Sequence, residues 1–317
     1  MVEHLKINRV RRTYKGGRKI DAFEGITNAG QLPEDWTASV TSADNGDDIF
    51  PDEGLGFLKD GTPVKNLVGE NFHMLVKLLD SEERLVVQAH PTVEFAEREL
   101  GVPHGKTECW YFLDCDSDAY VYIGFKEGVT RENLEKAFYE QNIDYMLSLL
   151  HRIPVKNGDF IFVDGGLPHA IGPGCFMIEL QEPTDLMVVA ERFTPSGRKI
   201  ADYRIDMGLG LQKMFDVYDY TGYSEADLRK HFMPKSKYTA NGVTTILDKD
   251  MTDKFSMFRL DGNAFFEVSN KPAVAVVISG SGKINNVNVV KGDRLLITDE
   301  SDITLSESEN LSVIVCI

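Results

Sequence analysis

The hydrophobic pattern of the chain has mostly the short period of β-strands. Short runs of apolar and β-branched residues recur between turn signals, each about the length of one strand. In the first two thirds of the chain these runs are residues 85–91, 109–115, 119–125, 158–163, 175–180 and 186–191. Residues 116–118 (Asp-Ser-Asp) separate two of the runs, and the pattern predicts a hairpin there.

A second set of strands is predicted from about residue 239 onward. Its apolar runs are residues 273–284, 289–298 and 311–317. The segment 155–163 (VKNGDFIFV) also resembles 289–297 (VVKGDRLLI), since each is a Gly-Asp turn followed by an apolar strand. Many short strands and a duplicated turn favour a mainly β protein built from two antiparallel jelly-roll sandwiches.

Residues 130–151 instead follow a helical period. Thr130 is a candidate N-cap with Glu in the following turn, and Asn142 and Asp144 favour a break into two helices. We therefore expect a first domain over residues 1–238 that contains this helical insert. A second, C-terminal β domain is expected over residues 239–317.

Composition excludes several classes of protein. The 317 residues include 34 Lys+Arg and 50 Asp+Glu, for a net charge of -16, which disfavours general binding to nucleic acids or anionic membranes. No apolar run approaches the roughly 20 residues of a membrane span, and no secretory signal follows the basic start. The four cysteines (Cys109, Cys115, Cys175, Cys316) form no C-x-x-C, so free thiols and a cytoplasmic location are expected.

Four polar residues suggest a metal site. Gln88 and His90 are two positions apart and point to the same face of a strand, Glu108 begins another strand, and His169 follows a two-glycine turn. Two imidazoles, one carboxylate and one amide oxygen suit a divalent metal such as Zn²⁺ and leave positions open for a substrate. Each histidine alone is more often a buried structural residue, so the prediction rests on their combination. Residues 242–317 contain no histidine, and we expect no metal there.

The surroundings of these residues match a known pattern. Residues 158–169 read G-x5-D-x-G-x2-H, which resembles the second cupin motif, with Asp164 where that motif usually has proline. Gln88-x-His90 with Glu108 downstream resembles the first motif, with Gln in place of its first histidine. The resemblance implies a bicupin: one metal-binding jelly-roll and a second, metal-free sandwich.

The chain as a whole resembles type I mannose-6-phosphate isomerases of the short bacterial kind. The segments that carry the resemblance are RRTYKGG, PEDWTAS, QAHP, GKTECWYFLDC, HAIG and IELQEPTD, in this order. It implies an aldose-ketose isomerase that interconverts mannose 6-phosphate and fructose 6-phosphate. It also implies one Zn²⁺ per chain, held by Gln88, His90, Glu108 and His169.

Such an isomerisation moves a proton between C1 and C2 of the opened sugar through an enediolate, so it needs a base and a source of positive charge. Glu179, on the strand after His169, is a candidate base, or else an exposed or salt-bridged carboxylate. Lys106 lies two residues before Glu108 and is a candidate to neutralise the phosphate or the enediolate, or else a solvated lysine. The substrate's negative charge requires some cation, from Lys106, Arg12 or another residue, because the chain itself is strongly acidic.

One position departs from the resemblance. The family has an active-site arginine where this chain has Val189, and Arg192, three residues on, is the nearest candidate replacement. In a regular strand Arg192 faces the opposite side, so a bulge would be needed. Two alternatives therefore stay open: a related cupin isomerase that acts on another sugar, and a non-catalytic sugar-binding sensor. A monomer and a homodimer are both compatible with the sequence.

Overall fold

The structure is a computed structural model that describes residues 1–27, 30, 32–46, 50, 52–268, 272–298 and 302–317. These residues form a mainly β protein, as predicted. The strands are β1 (Val2–His4), β2 (Arg9–Val10), β3 (Glu34–Thr37), β4 (Leu75–Ser81), β5 (Gln88–Ala89), β6 (Glu108–Cys115), β7 (Tyr120–Lys126), β8 (Leu150–Pro154), β9 (Phe160–Val163), β10 (His169–Ile171), β11 (Cys175–Gln181), β12 (Val188–Val189), β13 (Gly222–Tyr223), β14 (Lys237–Ala240), β15 (Val243–Leu247), β16 (Met257–Asp261), β17 (Phe265–Phe266), β18 (Ala273–Ile284), β19 (Val287–Val290), β20 (Arg294–Ile297) and β21 (Ile303–Cys316).

Short helices lie between the strands of the first domain. They are α1 (Arg18–Glu24), α2 (Lys65–Val68), α3 (Val93–Phe95), α4 (Arg131–Glu140), α5 (Ile143–Ser148), α6 (Asp202–Asp206), α7 (Leu211–Asp216) and α8 (Glu225–Phe232), with a π-helical turn at Ala96–Leu100. The predicted helical insert is confirmed as α4 and α5. Thr130 caps α4, and Asn142 separates the two helices because its Oδ1 accepts the Tyr145 N–H at 3.1 Å. Among the described residues, no helix has both the length and the apolar character that a membrane span requires.

The described strands form three sheets. Two six-stranded sheets have the orders β12-β5-β10-β7-β13, with β8 on β7, and β2-β3-β4-β11-β6-β9. They share one hydrophobic core, to which Trp110 and Ile178 contribute from one sheet and Val121 and Ile171 from the other. The sandwich therefore has a well-packed apolar interior formed by both sheets.

A third, nine-stranded sheet has the order β1-β20-β18-β21-β16-β15-β14, with β17 on β21 and β19 on β18. Strand β18 alternates between two cores: Val274 and Val276 pack into the core of the first domain, whereas Ala275 and Val277 belong to a second core. Strand β1 pairs with β20, so the first strand of the chain completes the C-terminal sheet. The division at residues 238 and 239 stays a prediction.

The predicted hairpin at residues 116–118 is wrong. The segment does turn the chain, since the Ala119 N–H donates to the Asp116 carbonyl at 3.1 Å. However, β6 pairs with β11 and β9 in one sheet, whereas β7 pairs with β10, β8 and β13 in the other. A turn signal marks where a strand ends, but in a sandwich the packing of the two sheets decides which strand lies next to it.

The duplicated Gly-Asp segment forms the same turn in both places. Asp159 Oδ2 accepts the Lys156 N–H at 3.0 Å, and Asp293 Oδ2 accepts the Val290 N–H at 2.9 Å. The glycine before each aspartate has a positive φ, 83° at Gly158 and 92° at Gly292. One local motif therefore starts β9 in the first domain and β20 in the second.

Candidate metal centre and active site

The four candidate metal ligands come from both sheets of the first domain. Gln88 in β5 lies directly opposite His169 in β10, and His90 follows two residues after Gln88. Glu108 begins β6 in the other sheet. All four side chains are buried, so the sandwich brings them together in its interior, although up to 81 positions separate them.

The two histidines and the glutamate form a compact cluster. His90 Nε2 lies 3.2 Å from Glu108 Oε2, and His169 Nε2 lies 3.6 Å from Glu108 Oε1. The candidate ligand atoms of the three residues all lie within 4.8 Å of one another. Gln88 Nε2 lies 3.1 Å from His169 Nε2, so the amide is the fourth member of the group. This arrangement can hold one cation.

Hydrogen bonds orient each ligand toward the centre of the cluster. His90 Nδ1 lies 2.9 Å from the Leu186 carbonyl, and His169 Nδ1 lies 2.9 Å from the Leu167 carbonyl. A proton on each Nδ1 directs the lone pair of Nε2 inward, the usual orientation of a metal-binding histidine. The Trp110 indole N–H donates to Glu108 Oε1 at 3.0 Å.

The predicted glycine turn contributes to this geometry. The Gly166 N–H donates to the His90 carbonyl at 2.7 Å. A Cβ on Gly165 would lie 2.9 Å from Thr92 Cα, so only glycine permits this approach. The turn therefore fixes the start of β10, and with it His169, against the segment that carries His90.

The protonation states of the cluster fit a metal. The pKa of His90 is lowered to about 3, mainly by burial and secondly by the nearby Lys106 ammonium. Burial also lowers the pKa of His169. Burial alone would raise the pKa of Glu108, but Lys106 and His90 hold it well below its usual range. The imidazoles are thus neutral and the carboxylate ionised, as metal ligands must be. Glu108 Oε2 is buried between the Lys106 ammonium at 3.0 Å and the His90 ring at 3.2 Å, so a metal bound there would share this oxygen with Lys106.

Lys106 lies in the cluster, and Glu179 lies in a second group beside it. Lys106 Nζ is 2.9 Å from His90 Nε2 and 3.0 Å from Glu108 Oε2. Glu179, in β11, is buried, and its Oε1 accepts a hydrogen bond from Lys77 Nζ at 2.9 Å. Burial and then the Glu108 charge raise the pKa of Glu179. Glu179 is therefore a salt-bridged carboxylate, but one inside the site.

Sequence reasoning missed the charged network that continues from Glu179. Lys77 Nζ lies 3.7 Å from Glu34 Oε2, and Arg12 Nε lies 3.2 Å from Glu34 Oε1. Arg12 also donates two hydrogen bonds to Asp185, at 2.8 and 2.9 Å. A lysine inside the apolar run 75–79 was the available signal, because a buried lysine needs paired carboxylates.

The structure does not bring Arg192 to the candidate ligands. Its guanidinium lies over the ring of Phe138, with Cζ 4.7 Å from the ring centroid. Its backbone N–H donates to Gln141 Oε1 at 2.8 Å, so this residue meets the helical insert. Val189 is fully buried and pairs with Gln88 across the sheet.

A cationic cavity of about 390 Å³ opens where Arg12 reaches the surface. Its lining residues are Arg11, Arg12, Thr13, Tyr14, Lys15, Asn45, Ser196 and Arg198. The lining contains four cationic side chains and no carboxylate, but three carboxylates contact its residues. Glu53 pairs with Arg11, Asp185 pairs with Arg12, and Glu83 accepts hydrogen bonds from the Lys15 N–H and the Ser196 hydroxyl. Tyr14 connects the cavity to the buried network, since its hydroxyl donates to Glu34 Oε1 at 2.6 Å.

The fold and the cluster define a β-sandwich protein of the cupin type, with a candidate metal centre formed by described residues of its first domain. No protein-family model matches the chain. Mannose-6-phosphate isomerase ManA of Bacillus subtilis (strain 168) is 31% identical over 235 residues, which cover 73% of this chain and 70% of that protein. The chain belongs to the mannose-6-phosphate isomerase family. The Streptococcus mutans mannose-6-phosphate isomerase is 39% identical over 136 residues, 39% of this chain and 42% of that protein.

Solved structures share the whole fold. A crystal structure of the mannose 6-phosphate isomerase from Bacillus subtilis matches with a TM-score of 0.78 at 22% identity, over 100% of this chain and 99% of that one. A mannose 6-phosphate isomerase bound with zinc and yttrium matches with a TM-score of 0.70 at 13% identity, over 99% of this chain and 98% of that one. The fold of this chain therefore has counterparts over its whole length in solved structures.

Proposed function

We propose that this protein interconverts mannose 6-phosphate and fructose 6-phosphate and uses one Zn²⁺ held by Gln88, His90, Glu108 and His169. The buried His-Glu-His cluster, with both Nε2 atoms turned inward, is the observation that carries the proposal. The names of the relatives and the zinc in one structural neighbour support the choice of reaction and metal. A divalent cation held there would supply Lewis-acid stabilisation of negative charge on the substrate's oxygens.

The chain's own residues supply the proton transfer. Glu179 is the proposed base that takes the proton from one carbon of the opened sugar and returns it to the next. Its burial raises its pKa, which brings the carboxylate closer to the neutral range in which a base works well. Lys77 holds Glu179 in place through Oε1. Lys106, beside His90 and Glu108, is the proposed source of positive charge for the developing oxyanion.

The phosphate of the substrate is proposed to bind in the cationic cavity. In a protein with a net charge of -16, this opening gathers four cationic side chains, of which Arg11 and Arg12 are paired with carboxylates, and Lys15 and Arg198 supply the further positive charge that would attract a dianion. Contacts from Arg12 to Glu34, from Glu34 to Lys77 and from Lys77 to Glu179 connect this cavity to the proposed base.

Metal analysis combined with coupled turnover of mannose 6-phosphate tests the proposal. We expect about one zinc per chain in the purified protein and turnover that a chelator abolishes and zinc restores. His169→Ala removes both the metal and the activity, and Arg198→Gln, at the rim of the cavity, raises KM while the metal stays bound. Stoichiometric zinc in His169→Ala, or metal-loaded protein with no turnover, contradicts the proposal.

A second candidate, an isomerase for another aldose, is favoured by Val189. This apolar residue pairs with the candidate ligand Gln88, and Arg192 is turned toward the helical insert. The arginine to which the family resemblance gives an active-site role thus has no replacement at that position. A panel of phosphorylated and free aldoses separates the candidates: turnover restricted to another sugar supports the second, and tight binding without turnover of any sugar supports a sensor.

A further inference from the structure

Two cysteines face each other across strands β6 and β11, at the end of the sandwich away from the candidate ligands. The strand register places Cys115 directly opposite Cys175. The Cys115 N–H donates to Asn157 Oδ1 at 2.7 Å and the Cys175 N–H to Ser81 Oγ at 3.2 Å, so neither amide bonds across the pair. At such non-hydrogen-bonded positions the Cα atoms are about 4.5 Å apart. That separation is within the range of about 4.4–6.8 Å that a disulfide spans.

The two thiols are not equivalent. Cys115 is half-buried, and Cys175 is buried. The neighbouring Cys175 thiol lowers the pKa of Cys115, and the Lys19 ammonium acts in the same direction. The Cys115 sulfur and burial raise the pKa of Cys175, whose Sγ lies 3.8 Å from the Tyr120 carbonyl. Cys115 is therefore the thiol that ionises and reacts first, because the thiolate is the nucleophile.

A cavity of about 710 Å³ opens on the opposite face of the sheet from the two thiols. Its walls include the residues that flank both cysteines, among them Asp114, Asp116 and Gly174, but not Cys115 or Cys175. Lys19 also lines it and donates to the carbonyls of Asp114 at 3.2 Å and Gly174 at 3.1 Å. The Lys19 ammonium is thus fixed against the backbone next to both cysteines, and a small oxidant would reach the pair at Cys115, which is half-buried.

We propose that Cys115 and Cys175 form a redox modification site that a hydroperoxide, such as hydrogen peroxide, converts into an intramolecular disulfide. The Cys115 thiolate attacks one peroxide oxygen, the O–O bond breaks, and a sulfenic acid and hydroxide result. The Cys175 sulfur then attacks the Cys115 sulfur: the S–S bond forms, the S–O bond breaks, and the leaving hydroxide takes the Cys175 proton as water. The first hydroxide takes up the proton that Cys115 released. Two thiols thereby lose two electrons, and the peroxide is reduced to two waters.

The cross-link would join two strands that carry active-site candidates. Strand β6 contains Glu108, and strand β11 contains Glu179. The site is separate from the metal cluster in sequence and in contacts, so the inference does not depend on the proposed isomerase activity.

The test is peptide mapping of the full chain under non-reducing conditions after treatment with hydrogen peroxide. We expect one linked pair of peptides, containing Cys115 and Cys175, that is lighter by two hydrogens and is separated by dithiothreitol. In Cys175→Ser, oxidation of Cys115 stops at the sulfenic acid, which dimedone labels. In Cys115→Ser, no cross-link forms and Cys175 stays reduced.

The other two cysteines are internal controls. Cys109 and Cys316 are fully buried, and burial raises the pKa of both thiols. Both should react at least about tenfold more slowly than Cys115. Equal rates for all four thiols, or wild-type protein in which Cys115 and Cys175 stay unlinked at full oxidation of Cys115, would overturn the inference. Because the wild-type map gives these results by itself, the test does not depend on whether a variant folds.

Discussion

The first domain and the C-terminal β domain both contain the Gly-Asp turn, which begins strand β9 in one and strand β20 in the other. The two domains differ in the kinds of side chain that they bury. Among the described residues from 239 onward, the buried polar residues are Thr244 and Arg294. The first domain buries a large set of polar and charged residues, which includes His90, Lys77 and Glu179. The shared Gly-Asp turn thus specifies a strand start, whereas the function depends on side chains that only one domain buries.

Arg294, the buried charged residue of the C-terminal domain, has its ion-pair partners in the first domain. Its guanidinium pairs with Glu24 at 3.0 Å and with Asp35 at 3.5 Å. Burying charge has an energetic cost that an apolar core avoids, so the C-terminal domain is the part arranged for stability. Changes in the first domain should mainly affect chemistry, and changes in the second should mainly affect the free energy of unfolding.

Substitution of the proposed base should have the largest effect. Glu179→Gln keeps the size of the side chain but removes its ability to take a proton, so kcat should fall by about 10²–10⁴-fold. Zinc content should not change, because Glu179 is not a candidate ligand. Glu191→Gln is the matched control: Glu191 is also a buried glutamate in an ion pair, with Arg84 at 2.6 Å, and it should retain kcat. Equal losses in the two variants would mean that only the ion pairs matter.

A core substitution in the C-terminal domain should show the opposite result. Leu295 is fully buried in the second core, so Leu295→Ala should lower the free energy of unfolding by about 2–5 kcal/mol. Urea denaturation measures this change, and kcat of the folded fraction should stay at the wild-type value. Val290→Ala, at an exposed position of the neighbouring β19, should change stability by less than about 0.5 kcal/mol. Loss of kcat in Leu295→Ala without loss of stability would contradict the division between the domains.

The contact between the domains should make stability depend on pH. Burial, and then the Asp35 charge, raise the pKa of Glu24 from 4.5 to about 7. The folded protein therefore holds a proton that the unfolded chain has released. The free energy of unfolding should fall as pH rises from about 4.5 to about 7, by as much as about 3 kcal/mol from this group. Glu24→Gln should remove that part of the slope, and the same urea midpoints in both proteins across this window would show that Glu24 does not titrate there.

The sequence predicted the candidate ligands because their evidence is local. Gln88 and His90 share a face by strand period, and the glycine turn marks His169. Periodicity also located most strands and the break at Asn142. It could not show that residues 116–118 lead from one sheet to the other, because strand pairing is a tertiary property.

The charged network was less accessible to sequence reasoning for the same physical reason. Arg12 and Asp185 are 173 positions apart, and nothing in either local sequence identifies its partner. Arg192 was chosen by counting along a strand from Val189, but the contact with Phe138 of the insert determines where its guanidinium lies. Long-range ion pairs and cation–π contacts depend on the packed fold, and a single sequence does not encode them visibly.

The helical insert distinguishes the domains in a further, smaller way, because the described part of the C-terminal domain contains no helix. Asn142→Ala removes the side-chain acceptor that caps α5, so it should lower the free energy of unfolding by about 1 kcal/mol. Lys136→Ala, at an exposed position of the neighbouring α4, is the control and should have almost no effect. Gln141, next to Asn142, accepts a hydrogen bond from the Arg192 backbone, so the insert contacts the strand region near Val189. We expect Asn142→Ala to keep the wild-type kcat, which would show that the insert is not needed for catalysis. A large loss of kcat would contradict this and show that the insert shapes the site.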